Sequence, residues 1–309
     1  MLSTYLRLVA TMTLWGGTFI AGRLLVHVGP ATASLMRFFV ASLFMLAFCW
    51  RLEGGLTLPG RRQIVPVLLL GLTGVFLYNI FFFTGLHTVT AGRASLIIAG
   101  NPALIAVLAA LFFREPFGKF KILGLVLSII GALVVISRGE LGAILAQIRI
   151  GDLFIFGCVF AWSSYTVLGK KVMTHLSPVA AVTWSCLAGM LFLLPLALRE
   201  GLAANLVQAN ALEWASMVYL GVFGTGLGFL WYYQGIKALG AGRAGVFINL
   251  VPVNAVLMGW FLLGEDVDFS LAAGAALIFT GVYLVNRPAN RQPALQDENP
   301  QPDAASSSR

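Results

Sequence analysis

Apolar residues gather along this chain in ten runs, each bounded by glycine, proline or charge: 5–26, 31–50, 64–87, 91–113, 120–137, 153–173, 178–198, 213–236, 241–263 and 269–286. A bilayer core of roughly 30 Å takes about 20 apolar residues of helix to cross. Each run therefore predicts one membrane-spanning helix, and the pattern predicts an all-α integral membrane protein. Between the fifth and sixth runs, residues 138–152 are rich in Gly and small polar residues and read as a connector. The last stretch, 288–309, is rich in Pro, Ser, Ala and Gln and too poor in apolar surface to fold alone. It is expected to be a disordered tail.

The runs repeat. AGRASLIIAGNPALIAVLAALFFRE, from Ala91 to Glu115, returns without a gap as AGRAGVFINLVPVNAVLMGWFLLGE, from Ala241 to Glu265, with Pro102 and Pro252 at the same depth. WGGTFIAGR at Trp15–Arg23 aligns with WSSYTVLGK at Trp162–Lys170. Gly71, Gly74 and Gly85 recur as Gly221, Gly224 and Gly235, and Gly124 and Gly131 as Gly274 and Gly281. Such glycines have a plain reading, since they let helix backbones approach closely in lipid. Two copies follow, 1–137 and 153–287. Five helices is an odd number, so the second copy enters the membrane from the opposite side. The loop after the repeated stretch agrees, being basic in the first copy (Arg114, Lys119, Lys121) and acidic in the second (Glu265, Asp266, Asp268). Inverted repeats within membrane helices are the mark of transporter folds, whose substrate site lies between the repeats near the midplane.

Composition sharpens this picture. The chain is 59% hydrophobic and 10% charged, with a mean hydropathy of +0.90, whereas soluble domains carry about a quarter charged residues. The net charge of +8 lies in loops rather than on one face, which fits the positive-inside rule and predicts no nucleic-acid partner. With the N-terminus in the cytoplasm, Arg7, Arg51, Arg61, Arg62, Arg114, Lys119, Lys121, Lys170, Lys171, Lys237, Arg243, Arg287, Arg291 and Arg309 fall inside. Arg93, Arg138, Arg149 and Arg199 fall outside, so both termini are expected in the cytoplasm of a bacterial inner membrane. Arg23 and Arg37 lie near outer helix ends and are read as snorkelling outward, with contact to a substrate carboxylate as the minor reading. Cys49, Cys158 and Cys186 fall inside apolar spans without metal-ligand spacing, so neither disulfide, metal nor cofactor is expected. No small-residue cleavage site follows the first apolar run, which is expected to stay as an anchor.

At these motifs the chain resembles EamA-type members of the drug/metabolite transporter superfamily. The paired Trp-containing helices at Trp15 and Trp162, and the paired endings FFREPFGKFKILGLVLSIIGALVV and FLLGEDVDFSLAAGAALIFTGVYLV, carry the resemblance over the ordered chain. It is most similar to bacterial inner-membrane exporters of amino acids and related metabolites. The resemblance implies ten helices in two inverted five-helix repeats around a central cavity. Helices one, three, four, six, eight and nine would line it, and movement of helix pairs would gate it.

On those helices, polar and aromatic groups in mid-span are the candidate substrate site. Trp15 and Thr18 are spaced i, i+3, as are Trp162 and Tyr165, so each pair shares a helix face. Tyr78 and Phe82 (i, i+4), Tyr232, Asn101, Asn249 and Asn254 complete the set. Aromatic faces would hold an apolar moiety and the amides would hydrogen-bond a polar end. The plain alternatives are back-bonding of Ser and Thr to their own helix and an interfacial Trp/Tyr belt, the reading preferred for Trp50, Trp184, Trp214 and Trp260. Pro102 and Pro252 each remove a backbone donor and predict a hinge. All twelve acidic residues fall in loops or at helix ends, and proton relays in membranes use intramembrane Asp, Glu or His. The reading is therefore a facilitative exporter of small metabolites, foremost aromatic or bulky apolar amino acids. The rival is a proton-coupled exporter of drugs or purine-like metabolites. A membrane-embedded enzyme would need converging nucleophiles or acid/base groups, and none cluster here.

Overall fold

The computed structural model describes residues 1–86, 97–115, 118–137, 150–263 and 269–287, and among these every regular element is helical. In chain order they are α1 (Leu2–Arg23), α2 (Pro30–Glu53), α3 (Ile64–Leu70, then a π-helical Gly71–Leu77, then Tyr78–Leu86), α4 (Asn101–Phe113) and α5 (Lys119–Ser137). After them come α6 (Ile150–Val172), α7 (Pro178–Arg199) and a short α8 (Leu202–Gln208). The last are α9 (Ala211–Tyr219, a π-helical Leu220–Leu227, Gly228–Leu239), α10 (Ala241–Gly245, a 3-10 turn Val246–Asn249, Leu250–Leu263) and α11 (Phe269–Asn286). Seven of the described helices are long and apolar enough to cross a membrane, and Asn101–Phe113 is a shorter apolar helix. The connector from 138, the tail from 288, the start of the repeated stretch at Ala91 and the acidic Glu265, Asp266 and Asp268 lie outside the described residues.

Local chemistry sets the helix ends. Pro30 and Pro178 occupy first-turn positions, where proline's missing N–H costs nothing. Ser177 Oγ accepts from Ala180 N, and Asn210 with Glu213 forms a reciprocal capping box at the start of α9. α2 stops at Gly54, whose φ of 71° suits glycine.

The main packing contacts cross between the two halves of the chain. α1 lies against α9 and α10, as α6 lies against α3 and α4; α2 lies on the π segment of α9, as α7 lies on that of α3. The most extensive contact joins α5 to α11. There a Cβ on Gly131 would sit 2.5 Å from the Gly274 carbonyl oxygen, and one on Gly124 would sit 2.6 Å from that of Gly281. Ascending numbers on one helix meet descending numbers on the other, so the pair is antiparallel with backbones in direct contact.

Both prolines expected at hinges stand at breaks. Pro102 is in the first turn of α4, just after the turn at 99–100, and Pro252 lies three residues into Leu250–Leu263, just after the 3-10 turn. The repeated stretch is thus two helical pieces in the second half, not one unbroken run.

The two ends of the bundle are each tied across the halves. At the end where the chain begins, Glu115 accepts from Lys170 Nζ (2.6 Å), Ala241 N (3.0 Å) and Gly242 N (3.2 Å). At the opposite end, Glu200 accepts from Ala31 N (3.1 Å) and Thr32 N (2.7 Å), Asn205 from Gly29 N (2.8 Å) and Glu213 from His27 N (2.7 Å).

Candidate functional site

Six aromatic rings from four helices meet in the middle of the bundle. Trp15 of α1 and Trp162 of α6, counterparts in the sequence repeat, contact edge to face with ring centroids 5.2 Å apart. Phe229 and Tyr232 of α9 lie on both indoles, at 6.0 and 5.3 Å from Trp15 and 5.3 and 5.9 Å from Trp162. Tyr165 touches Trp162 at 5.3 Å and Phe229 at 5.6 Å, and Tyr78 of α3 approaches Trp162 at 5.5 Å. Phe82 stacks on Tyr78 at 6.0 Å. Edge-to-face and tilted pairs at these distances are the favoured arrangements of aromatic quadrupoles. Trp15, Trp162, Tyr165 and Tyr232 are buried, whereas Tyr78, Phe82 and Thr18 keep part of their surface.

The π segments explain how the indole of Trp15 is held. Its Nε1 donates to the Gly224 carbonyl at 2.8 Å, within Leu220–Leu227. A π turn takes carbonyls out of the ordinary i→i−4 ladder, and such turns recur at functional sites. The glycine also admits α1, since a Cβ there would sit 2.7 Å from Thr18 Cγ2. In the other half Gly74 of α3 packs in the same way against the ring of Tyr165, the counterpart of Thr18. The hydroxyl of Thr18 bonds its own helix at Trp15 O (2.6 Å), that of Tyr165 pairs with Ser185 (3.2 Å) and that of Tyr232 with Thr166 (3.3 Å).

The asparagines are distributed differently. Asn101 is buried beside the cluster, where Ser163 Oγ donates to its Oδ1 at 3.4 Å. Asn249 instead donates to Ser128 on α5 at 3.0 Å, and its buried Oδ1 has no hydrogen-bond partner among the described residues. Asn254 joins α10 to α1 by accepting from Thr13 at 3.0 Å. The structure brings the aromatic candidates and Asn101 together and places Asn249 and Asn254 at two other helix interfaces.

One group at the site is absent from the candidates drawn from the sequence, and another sits otherwise than its main reading expects. Phe229 is central to the cluster, and the signal for it was the helical spacing of Thr225, Phe229 and Tyr232. Arg37, expected to snorkel outward, points into the protein, where its Nε donates to the buried Thr225 Oγ1 at 2.6 Å. Gly221 on α9 lets the backbone of α2 come close at this point: a Cβ there would sit 2.6 Å from Val40 Cβ and 2.8 Å from the Arg37 carbonyl oxygen. Arg23's side chain lies outside those described.

An apolar cavity of about 910 Å³ lies elsewhere, between α2, α3, α7 and α8, with Leu35, Phe39, Trp184, Leu194, Leu202 and Leu206 among its lining. It contains none of the candidate residues and offers almost no polar group to orient a polar solute. Among the described residues no group of His, Cys, Asp or Glu could hold a metal ion.

Residues 2–137 and 149–287 match the EamA-like transporter family. The chain belongs to that family. It is 30% identical over 287 residues to "Uncharacterized transporter YyaM" of Bacillus subtilis, covering 92% of this chain and 94% of that protein. It is also 30% identical to the "Probable terminal-alkyne amino-acid exporter" of Streptantibioticus cattleyicolor (91% and 92% covered). A third relative, 29% identical, is the "Probable amino-acid metabolite efflux pump" of Salmonella typhimurium (88% and 91% covered). A crystal structure sharing 22% identity superposes with a TM-score of 0.77 over 92% of this chain and 97% of that one, a likeness of fold. As an EamA-like protein the chain is a multi-pass membrane transporter of small molecules, not an enzyme.

Proposed function

We propose that this EamA-like protein exports amino acids with aromatic or bulky apolar side chains across the bacterial inner membrane. The transport is facilitative and works by alternating access, with ten spans arranged as two inverted five-helix repeats and both termini in the cytoplasm. The observation that carries the reading is the aromatic cluster, contributed by both halves and centred on the counterparts Trp15 and Trp162. Rings that keep exposed faces beside a few polar groups suit a solute with one apolar and one polar end. The matches at 2–137 and 149–287 and the antiparallel crossing of α5 and α11 support two inverted copies. Names of two relatives point to amino acids as the substrate class. Absence of a mid-span carboxylate in the sequence supports facilitation over proton coupling.

Uptake of labelled phenylalanine, tryptophan, threonine and a purine into vesicles holding the purified protein, with and without a pH gradient, tests this. Saturable uptake of the aromatic amino acids without a gradient is the expected result. Uptake only with a gradient would establish proton coupling, and uptake of the purine alone would overturn the substrate class.

A further inference from the structure

Arg37 lies two turns into α2, about 10 Å along the helix from Pro30 at 1.5 Å per residue. A cation at that depth is costly and is ordinarily met by an acidic partner or an aqueous cavity. Here the contacts are the Thr225 hydroxyl at 2.6 Å and the face of the adjoining Phe38 ring at 5.4 Å, and no carboxylate pairs with it among the described residues. One neutral hydroxyl engages one of five guanidinium donors, which leaves the two terminal nitrogens uncommitted. Those nitrogens form a planar fork that matches the two oxygens of a carboxylate.

The fork's position is informative. One terminal nitrogen lies 3.9 Å from where a Cβ would stand on Gly224, the residue whose carbonyl holds the Trp15 indole and whose open side faces Thr18. Arg37, Thr18 and Tyr78 all keep partial exposure, while Thr225, Trp15 and Trp162 behind them are buried. A cation therefore stands at the rim of an aromatic cluster, bonded to an α9 hydroxyl through Nε and with two terminal nitrogens uncommitted among the described residues. If Arg37 served only to tie α2 to α9, a neutral donor would make the same bond to Thr225 without a desolvated charge.

We infer that Arg37 is the anion anchor of the substrate site: its fork receives the substrate's carboxylate, while the side chain lies over Trp15, Trp162 and Tyr78. This rests on the amino-acid reading above and adds to it that the carboxylate is obligatory. Amides, amines and neutral purines are excluded because they leave the guanidinium unpaired.

The test is exchange of labelled phenylalanine in vesicles containing the full-length protein, competed by unlabelled phenylalanine, phenylalaninamide or phenethylamine. The wild type should prefer the carboxylate to either analogue by tenfold or more. R37Q should bring that preference close to one and lower phenylalanine exchange at least tenfold, at unchanged melting temperature. T225A, which removes only the tie, should keep the preference. R37K keeps the charge without the fork and should fall between; it carries the test if R37Q does not fold. Phenylalanine exchange competed equally by the amide would overturn the role of Arg37 and leave the amino-acid reading standing. Wild-type preference persisting in R37Q or R37K would do the same. Exchange of a neutral purine with no exchange of any amino acid would overturn both.

Discussion

Lys170 Nζ lies 2.6 Å from Glu115 Oε1, an ion pair that joins the loop after α4 to the C-terminal end of α6. The same carboxylate accepts from Ala241 N and Gly242 N at the start of α10, and Lys121 approaches it at 3.5 Å. The first half thus supplies the acid and the second half both a base and a helix N-terminus. At the far end the roles reverse, since Glu200 of the second half covers the first turn of α2. Alternating access by relative movement of the halves would require each clamp to open in turn.

Glu115 gives the first prediction. Burial pushes its carboxyl up, but the Lys170 hydrogen bond and charge, with Lys121 and the Gly242 amide, outweigh burial and hold it below the ordinary carboxylate range. A depressed carboxyl stabilises fully above its unfolded value of about 4.3 and ceases to do so as pH falls through the lower folded value. E115Q should therefore cost about 1–3 kcal/mol at pH 7, typical of a charged, partly buried hydrogen-bond set. Thermal unfolding in detergent should show the gap between wild type and E115Q narrowing below about pH 4. A gap that stays constant with pH would mean that the carboxylate contributes nothing as a charge.

The contact between α5 and α11 gives the second. A Cβ on Gly131 would meet the Gly274 oxygen at 2.5 Å and the Ile278 nitrogen at 2.8 Å, both backbone atoms that cannot rotate away. G131A should force the helices apart at a cost of about 1–3 kcal/mol, the usual penalty of overpacking. Gly118 has open space around it, so G118A should be neutral in the same unfolding assay. Equal effects of the two substitutions would show that the close crossing does not hold in the membrane.

Much of this fold was legible because membrane helices announce themselves by length and apolarity. The expected bounds of α5, α7, α10 and α11 agree with the observed ones to within a residue, and the paired Trp15 and Trp162 do meet. What escaped the pattern was local or depended on tertiary contact. The π segments Gly71–Leu77 and Leu220–Leu227 keep an unbroken apolar run, so hydropathy cannot see the extra residue per turn. The short α8 falls in a stretch read as loop, since Leu202–Gln208 is too brief to show a period. Arg37 was read as snorkelling because its distance from the helix end allows it. The hydroxyl that holds it inward belongs to Thr225, 188 residues away in sequence.

Trp15 carries the third prediction. W15F keeps a ring against Trp162 and Phe229 but leaves the Gly224 carbonyl without its indole donor, which should cost about 1 kcal/mol. W15A also empties the centre of the cluster and should cost about 3–5 kcal/mol. Under the proposed site, phenylalanine transport should fall severalfold in W15F and be lost in W15A and Y78A, with the protein still in the membrane. Full transport in W15A and Y78A would remove the aromatic cluster from the substrate path.

Sidedness gives the last. The two clamps lie at opposite ends of the bundle, and under the proposed orientation the Glu115 end faces the cytoplasm. Val207 on α8 is 86% exposed near the Glu200 clamp, and Thr174 is exposed just past the end of α6 that bears Lys170. Cys49, Cys158 and Cys186 are buried, so an impermeant thiol reagent has little native background. In intact cells V207C should be labelled and T174C protected, and both should be labelled after the membrane is permeabilised. The reverse pattern would place the termini outside and overturn the proposed orientation. Labelling of both in intact cells would show that the clamps do not stand on opposite sides of a membrane, and the alternating use of two clamps would fall with it.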